Sequence, residues 1–141
     1  LIGLLDSLVE NTMFAAILKG VNKDFGAMEI KIAGSFAIFA FEIDEVEKSI
    51  DFAKKIREEL LKDSLESIIG IESGEALVFP LENKTCDIAG DPVNIASKQA
   101  QDFGKPGKIY ITKKAVGSIK IEGAEPYKEE VSKVVIEGLA F

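Results

Sequence analysis

The chain has 141 residues, with 24 acidic against 17 basic side chains, a net charge of −7, no histidine and one cysteine. A single domain of this length buries about two-thirds of its unfolded surface, and its negative charge argues against nucleic-acid or anionic-membrane partners. With no histidine and only Cys86, zinc sites built on His or Cys, histidine general bases and an internal disulfide framework are excluded.

A metal would therefore need carboxylate and phosphate oxygens, a donor set that suits magnesium or manganese. The apolar content of 47% is ordinary for a globular domain. No apolar run approaches the roughly 20 residues that span a bilayer, and no charged leader with a cleavage site opens the chain. Together with the lone cysteine, this leads to the expectation of a reducing, cytoplasmic location without membrane contact. The chain begins at Leu1 rather than Met, which reads as a fragment or a processed chain.

Leu4, Leu5, Leu8, Val9, Met13, Ala16, Ile17 and Val21 recur at helical spacing over residues 3–22. The apolar arc is broad; helical core and a dimer interface both explain it, core being the better account. Asn22 to Gly26 reads as a polar exit. Met28, Ile30 and Ile32 alternate with Glu29 and Lys31, the period of a half-buried strand. Ala33-Gly34-Ser35 is a turn, and Phe36 to Phe41 is apolar on both faces, as in a covered central strand. Residues 27–41 are thus a β-hairpin. An amphipathic helix follows over Val46–Lys62, with Ile50, Ala53, Ile56 and Leu60 inward and a solvated charged face outward.

Ser67–Glu72 and Glu75–Phe79 are expected to form a second hairpin across Ser73-Gly74, followed by a polar loop from Leu81 to Thr85. Gly90-Asp91-Pro92 then opens a helix that runs to Phe103. Asp91 is the expected N-cap, Pro92 fits N1, and Gly104 is the expected C′ stop. Lys108–Thr112 alternates as a strand. In the tail, Ile119–Ile121 and Val131–Ile136 are candidate strands, with Glu125-Pro126 between them. No repeat, low-complexity segment or linker divides residues 1–141.

The stretch from Cys86 to Lys98 carries the chemistry. Asn94 lies in the first turn of its helix and Lys98 stands one turn on, on the same face. Free amides, the positive end of the helix dipole, an amide side chain and an ammonium together favour an anion such as phosphate. A capped surface helix with one solvated lysine accounts for the same residues.

Asp87-Ile88-x-Gly90-x-x-Val93-Asn94-Ile95-Ala96-Ser97 resembles the signature D-x-x-G-x-x-V-N-x-A-[AS]-R of class III adenylate and guanylate cyclase catalytic domains. The order of elements is similar from about Asp6 to Thr112. The resemblance implies an α+β fold, a ferredoxin-like βαββαβ nucleotidyl-cyclase core with a mostly antiparallel sheet. The strand that precedes the first helix in the family is missing from this chain, so residues 1–141 read as one cyclase homology domain truncated at its N-terminus.

In that family two domains pair head to tail. One supplies two metal-binding aspartates, and the other supplies a purine-reading Lys and Asp with a phosphate-stabilising Asn and Arg. The resemblance puts Lys31 and Asp87 in the substrate-binding, purine-reading roles, although Lys31 without Asp87 reads better as an exposed lysine on the polar face of a strand. Lys donates and ionised Asp accepts, which matches adenine (acceptor at N1, donor at N6) and opposes guanine, so ATP is expected over GTP. Asn94 matches the catalytic Asn. Lys98 stands where the family has Arg, and a compact ammonium replaces a two-pronged guanidinium.

The larger departure is Ser35, which occupies the position of a metal-binding Asp, so no metal ligand is assigned in this chain. Magnesium or manganese is then expected only if a partner supplies the carboxylates. The retained purine reader with a Gly34-Ser35 turn resembles the second cytosolic half of mammalian transmembrane adenylate cyclases, which is not active alone. The partners this implies are ATP and either a second copy or a metal-binding cyclase domain. Three functional readings follow: a nucleotide-binding domain degenerate as a homodimer, a pseudo-cyclase serving only as a dimerisation or regulatory module, and an active homodimer with ligands from outside these residues.

Overall fold

The computed structural model describes residues 2–83 and 86–141, with side chains from Met13 onward. The expected inward positions Leu4, Leu5, Leu8 and Val9 lie outside the described side chains, and Lys84 and Thr85 of the polar loop lie outside the described residues.

Helix α1 spans Ile2–Phe25, a turn longer than its apolar repeat. What was expected as a polar exit is its last turn. Gly26 stops the helix at φ 68°, and the Asn22 amide closes the end by bonding both polar groups of Ala27, at 2.8 and 3.0 Å. A hairpin follows, β1 (Met28–Ala33) with β2 (Phe36–Ala40), turning at Gly34-Ser35. Helix α2 spans Val46–Lys62, as its amphipathic pattern predicts. It links two clusters. Ile50 and Ala53 pack with Ile109, Ile111, Ala115 and Val116, while Phe52, Ile56 and Leu60 pack with Leu18 and Val21 of α1. Phe25, Phe39 and Phe41 surround Phe52 edge-on, with centroids 5.0–5.3 Å away, a favoured aromatic geometry.

The second expected hairpin does not form. Strand β3 (Ile69–Ile71) pairs in parallel with β6 (Ile109–Thr112), and β4 (Leu77–Pro80) pairs instead with β5 (Cys86–Ala89). The reason is burial. Ile69 and Ile71 pack beneath α2, while Gly70, on the opposite face by strand alternation, receives the helix after β5. Strand β6 is buried at all four positions, a central strand rather than the half-exposed one its alternation predicts. The sheet continues through β8 (Val134–Ala140) to β7 (Glu125–Val131), in the order β3-β6-β8-β7.

The tail hairpin corrects three expectations, the first being a strand over Val131–Ile136: β7 ends at Val131, the chain turns at Ser132-Lys133 and β8 begins at Val134. Ile119–Ile121 is loop behind the short helix α4 (Lys113–Val116), held by Gly117 at φ 54° and by Ile119 N–H donating to the Val116 carbonyl. Glu125-Pro126 does not divide strands but begins β7, an edge strand that tolerates the missing N–H. All pairings except β3–β6 are antiparallel, so the architecture is α+β, as expected. Among the described residues no strand precedes α1, and β2 and β3 share a helical roof without ladder bonds to each other.

Candidate functional site

Lys31 and Asp87, 56 positions apart in sequence, come together where β1 meets β5. The ammonium lies 3.5 Å from a carboxylate oxygen, with the two side chains 41% and 32% exposed. The register of β1 against β2 slips between Glu29 and Lys31. The bulge sinks Ile30 to 5% exposure and leaves Lys31 directed at β5; bulges commonly re-aim a side chain in this way. The other Asp87 oxygen accepts from the Ile88 N–H at 2.9 Å, so the carboxylate is steadied from its own strand. A half-exposed pair like this contributes little to stability. What it does offer is a donor and an acceptor side by side.

From Asp87 the chain passes through Gly90 into α3 (Asp91–Lys98). Here the N-cap is Gly90, one residue earlier than expected, and Asp91 makes no cap. Gly90 adopts φ 146°, and a Cβ there would come within 2.9 Å of the Glu75 carbonyl oxygen, so only glycine makes this turn. Its carbonyl accepts from both Val93 and Asn94 N–H, at 3.1 and 3.3 Å, and Pro92 has no N–H to offer. The expected cradle of free amides at the helix start is therefore mostly spent. Asn94 and Lys98 sit further along, on the outer face of the helix.

That face lines an open groove of about 350 Å³ formed by Asn94, Ser97, Lys98, Gln101 and Asp102. Lys98 is 26% exposed and reaches an Asp102 carboxylate oxygen at 3.9 Å, a long pair that offsets part of the groove's positive charge. Beyond Lys98 the helix does not stop but widens into a π-helical turn, Gln99–Phe103. Gly104 follows in an extended conformation, φ −60°, rather than the left-handed C′ stop expected of it. It is glycine for a different reason: a Cβ would collide with Ile68 and the Gln99 carbonyl oxygen.

Ser35 is exposed at the tip of the β1–β2 turn. Among the described residues no group of three or more acidic, Cys or His side chains is arranged to hold a metal. Cys86 is a free thiol. No helix among the described residues is long and apolar enough to cross a membrane. Reasoning from sequence missed the bulge at Ile30, the carboxylate of Asp102 in the groove and the π-helical turn. A signal for the turn was available in Gln99, a polar residue on the otherwise apolar inner face of the helix.

These elements define the fold of the guanylyl and adenylyl cyclase catalytic domains. The guanylate cyclase domain from Catenaria anguillulae, solved in complex with GTP, superposes with a TM-score of 0.73 at 20% identity, over 96% of this chain and 83% of that one. The catalytic core of a rhodopsin-guanylyl cyclase with converted specificity, in complex with ATPαS, gives 0.74 at 23% identity, over 95% and 82%. The guanylyl cyclase Cya2 gives 0.80 at 14% identity, over 95% and 79%. No family model matches the sequence, and no curated protein matches it either.

Proposed function

We propose that this domain binds a purine nucleoside triphosphate, with ATP preferred over GTP, at a site shared with a partner domain. The observation that carries the reading is the Lys31–Asp87 pair at 3.5 Å. Adenine presents N1 and N6 next to each other on one edge, so its reader needs a donor and an acceptor this close together. Guanine would meet a donor with a donor and an acceptor with an acceptor. A mismatched buried polar pair costs about 1–3 kcal/mol; with both side chains partly exposed the lower end applies, roughly fivefold in affinity for each mismatch. Asn94 and Lys98 take the phosphates.

The groove lies open on one side of the molecule, and the β4–β5 hairpin leaves Leu77, Val78 and Leu81 exposed at 67, 42 and 42%. Both features favour a partner, either a second copy or a metal-binding cyclase domain. Magnesium or manganese would enter with carboxylates from that partner, since Ser35 offers only a neutral hydroxyl. Metal would activate the 3′-hydroxyl and steady the leaving pyrophosphate, so a homodimer of this chain is degenerate as a cyclase. The second reading, a pseudo-cyclase serving only as a dimerisation or regulatory module, rests on the same exposed leucines. Calorimetric titration separates the two. ATP should bind more tightly than GTP; Asp87→Ala should erode that preference, and Lys98→Ala should weaken both nucleotides alike. Absence of heat with either nucleotide leaves only the module.

A further inference from the structure

Behind the groove, Gln99 is wholly buried. Its Nε2 donates to the Tyr127 hydroxyl at 2.6 Å, and its Oε1 has no hydrogen-bond partner among the described residues. That oxygen lies over Gly70 of β3, where a Cβ would sit 3.0 Å away. The amide thus lies against β3 on one side and is hydrogen-bonded to β7 on the other. Around it Phe103, Tyr110 and Tyr127 pack ring against ring at 5.2–5.7 Å. Leucine would fill the same space without an orphaned carbonyl oxygen, so packing does not account for an amide here. Apolar contacts also resist rotation of a helix about its axis poorly, whereas a short hydrogen bond is directional.

Position matters as well. Gln99 is the first residue of the π-helical turn and directly follows Lys98, and such turns recur at functional sites. With Gln99 fixed inward, Asn94, Ser97, Lys98, Gln101 and Asp102 are fixed outward along the groove. The Tyr127 oxygen is the acceptor of this bond, so the bond does not depend on the phenol's own proton, and burial in any case pushes the Tyr127 pKa up to about 12.

We propose that the Gln99–Tyr127 hydrogen bond is the positioning device of the phosphate groove: it sets the rotation of the helix after β5 and so the places of Asn94 and Lys98. The inference rests on the reading of that groove as a nucleotide site. Neither residue touches the nucleotide; both act through the helix.

The test uses Tyr127→Phe, which orphans the Gln99 amide, and the double variant Gln99→Leu/Tyr127→Phe, which replaces both partners with apolar groups and relieves the penalty. Melting, ATP and GTP titration and hydrogen exchange of the amides in 91–103 are followed for each. The single variant should melt lower and the double variant near wild type. Affinity for ATP and GTP should fall three- to tenfold in both variants by the same factor, because the purine edge is read elsewhere. Amides 91–103 should exchange faster in both. If affinity and exchange return to wild type together with the melting temperature, the bond is structural only and the proposal fails. Should the wild type bind no nucleotide, the nucleotide reading falls, and unchanged exchange in the double variant would separately refute the positioning role.

Discussion

Gly70→Ala tests how the site is seated. A Cβ at this position would run into the carbonyl oxygen of Ala96 and lie 2.9 Å from Gln99 Cβ. Real Cβ atoms do not come that close. The obstacle is helix backbone, which cannot swing aside as a flexible side-chain tip can. Overpacking typically costs 1–3 kcal/mol, and a backbone obstacle puts this case near the top, at about 3 kcal/mol. With 141 residues and an unfolding entropy of about 2.1 cal/mol/K per residue, the entropy change is roughly 0.3 kcal/mol/K, so the midpoint should drop by about 10 °C. Gly20 is the internal control. It sits exposed within α1, and a Cβ there meets nothing within 4 Å. Gly20→Ala should stabilise by about 0.5–1 kcal/mol through helix propensity and the unfolded chain, a rise of about 2–3 °C. Both melts can be followed by circular dichroism. A Gly70→Ala protein melting within about 2 °C of wild type would refute the seating of the helix on β3.

Further outcomes follow from other residues. Arg57, the only arginine, donates to the Phe141 carbonyl at 2.7 Å and to the Gly107 carbonyl at 3.3 Å. Arg57→Ala should cost about 1–3 kcal/mol, read as a lower denaturant midpoint with unchanged slope. Burial raises the Tyr127 pKa from 10.0 to about 12; its stabilising contribution is complete below pH 10 and lost as pH rises from 10 through 12. Denaturation midpoints should fall over that window in the wild type and less steeply in Tyr127→Phe, and one tyrosine should titrate late by phenolate absorbance. Turnover of ATP by the isolated chain should be negligible with magnesium or manganese, and a rate on the order of 1–10³ s⁻¹ would contradict the degenerate reading.

Local signals carried part of the fold and little of the site. Helix α2 was legible because its inward residues, Ile50, Ala53, Ile56 and Leu60, recur against an unbroken charged face. The β1–β2 hairpin was legible from alternation and a Gly-Ser turn. Strand β3 was legible within Ser67–Glu72 but its pairing was not, because its partner β6 lies some 40 residues away and Ser73-Gly74 mimics a hairpin turn. Parallel pairing leaves no mark in neighbouring residues; it follows from which faces can be buried. The approach of Lys31 to Asp87 depends on a bulge at Ile30 that strict alternation conceals. Only resemblance to a cyclase signature linked the two residues in advance. The π-helical turn left only one sign, the polar Gln99 on an otherwise apolar helix face, and what that residue meets becomes clear only when Tyr127 arrives from β7.

The most direct test of the central claim is a crystal structure of the protein with a non-hydrolysable ATP analogue and manganese. The adenine edge should lie against Lys31 and Asp87, N1 toward the ammonium and N6 toward the carboxylate, with the phosphates along Asn94 and Lys98. Nucleotide density away from the Lys31–Asp87 pair, or a guanine analogue bound there in preference, would contradict it.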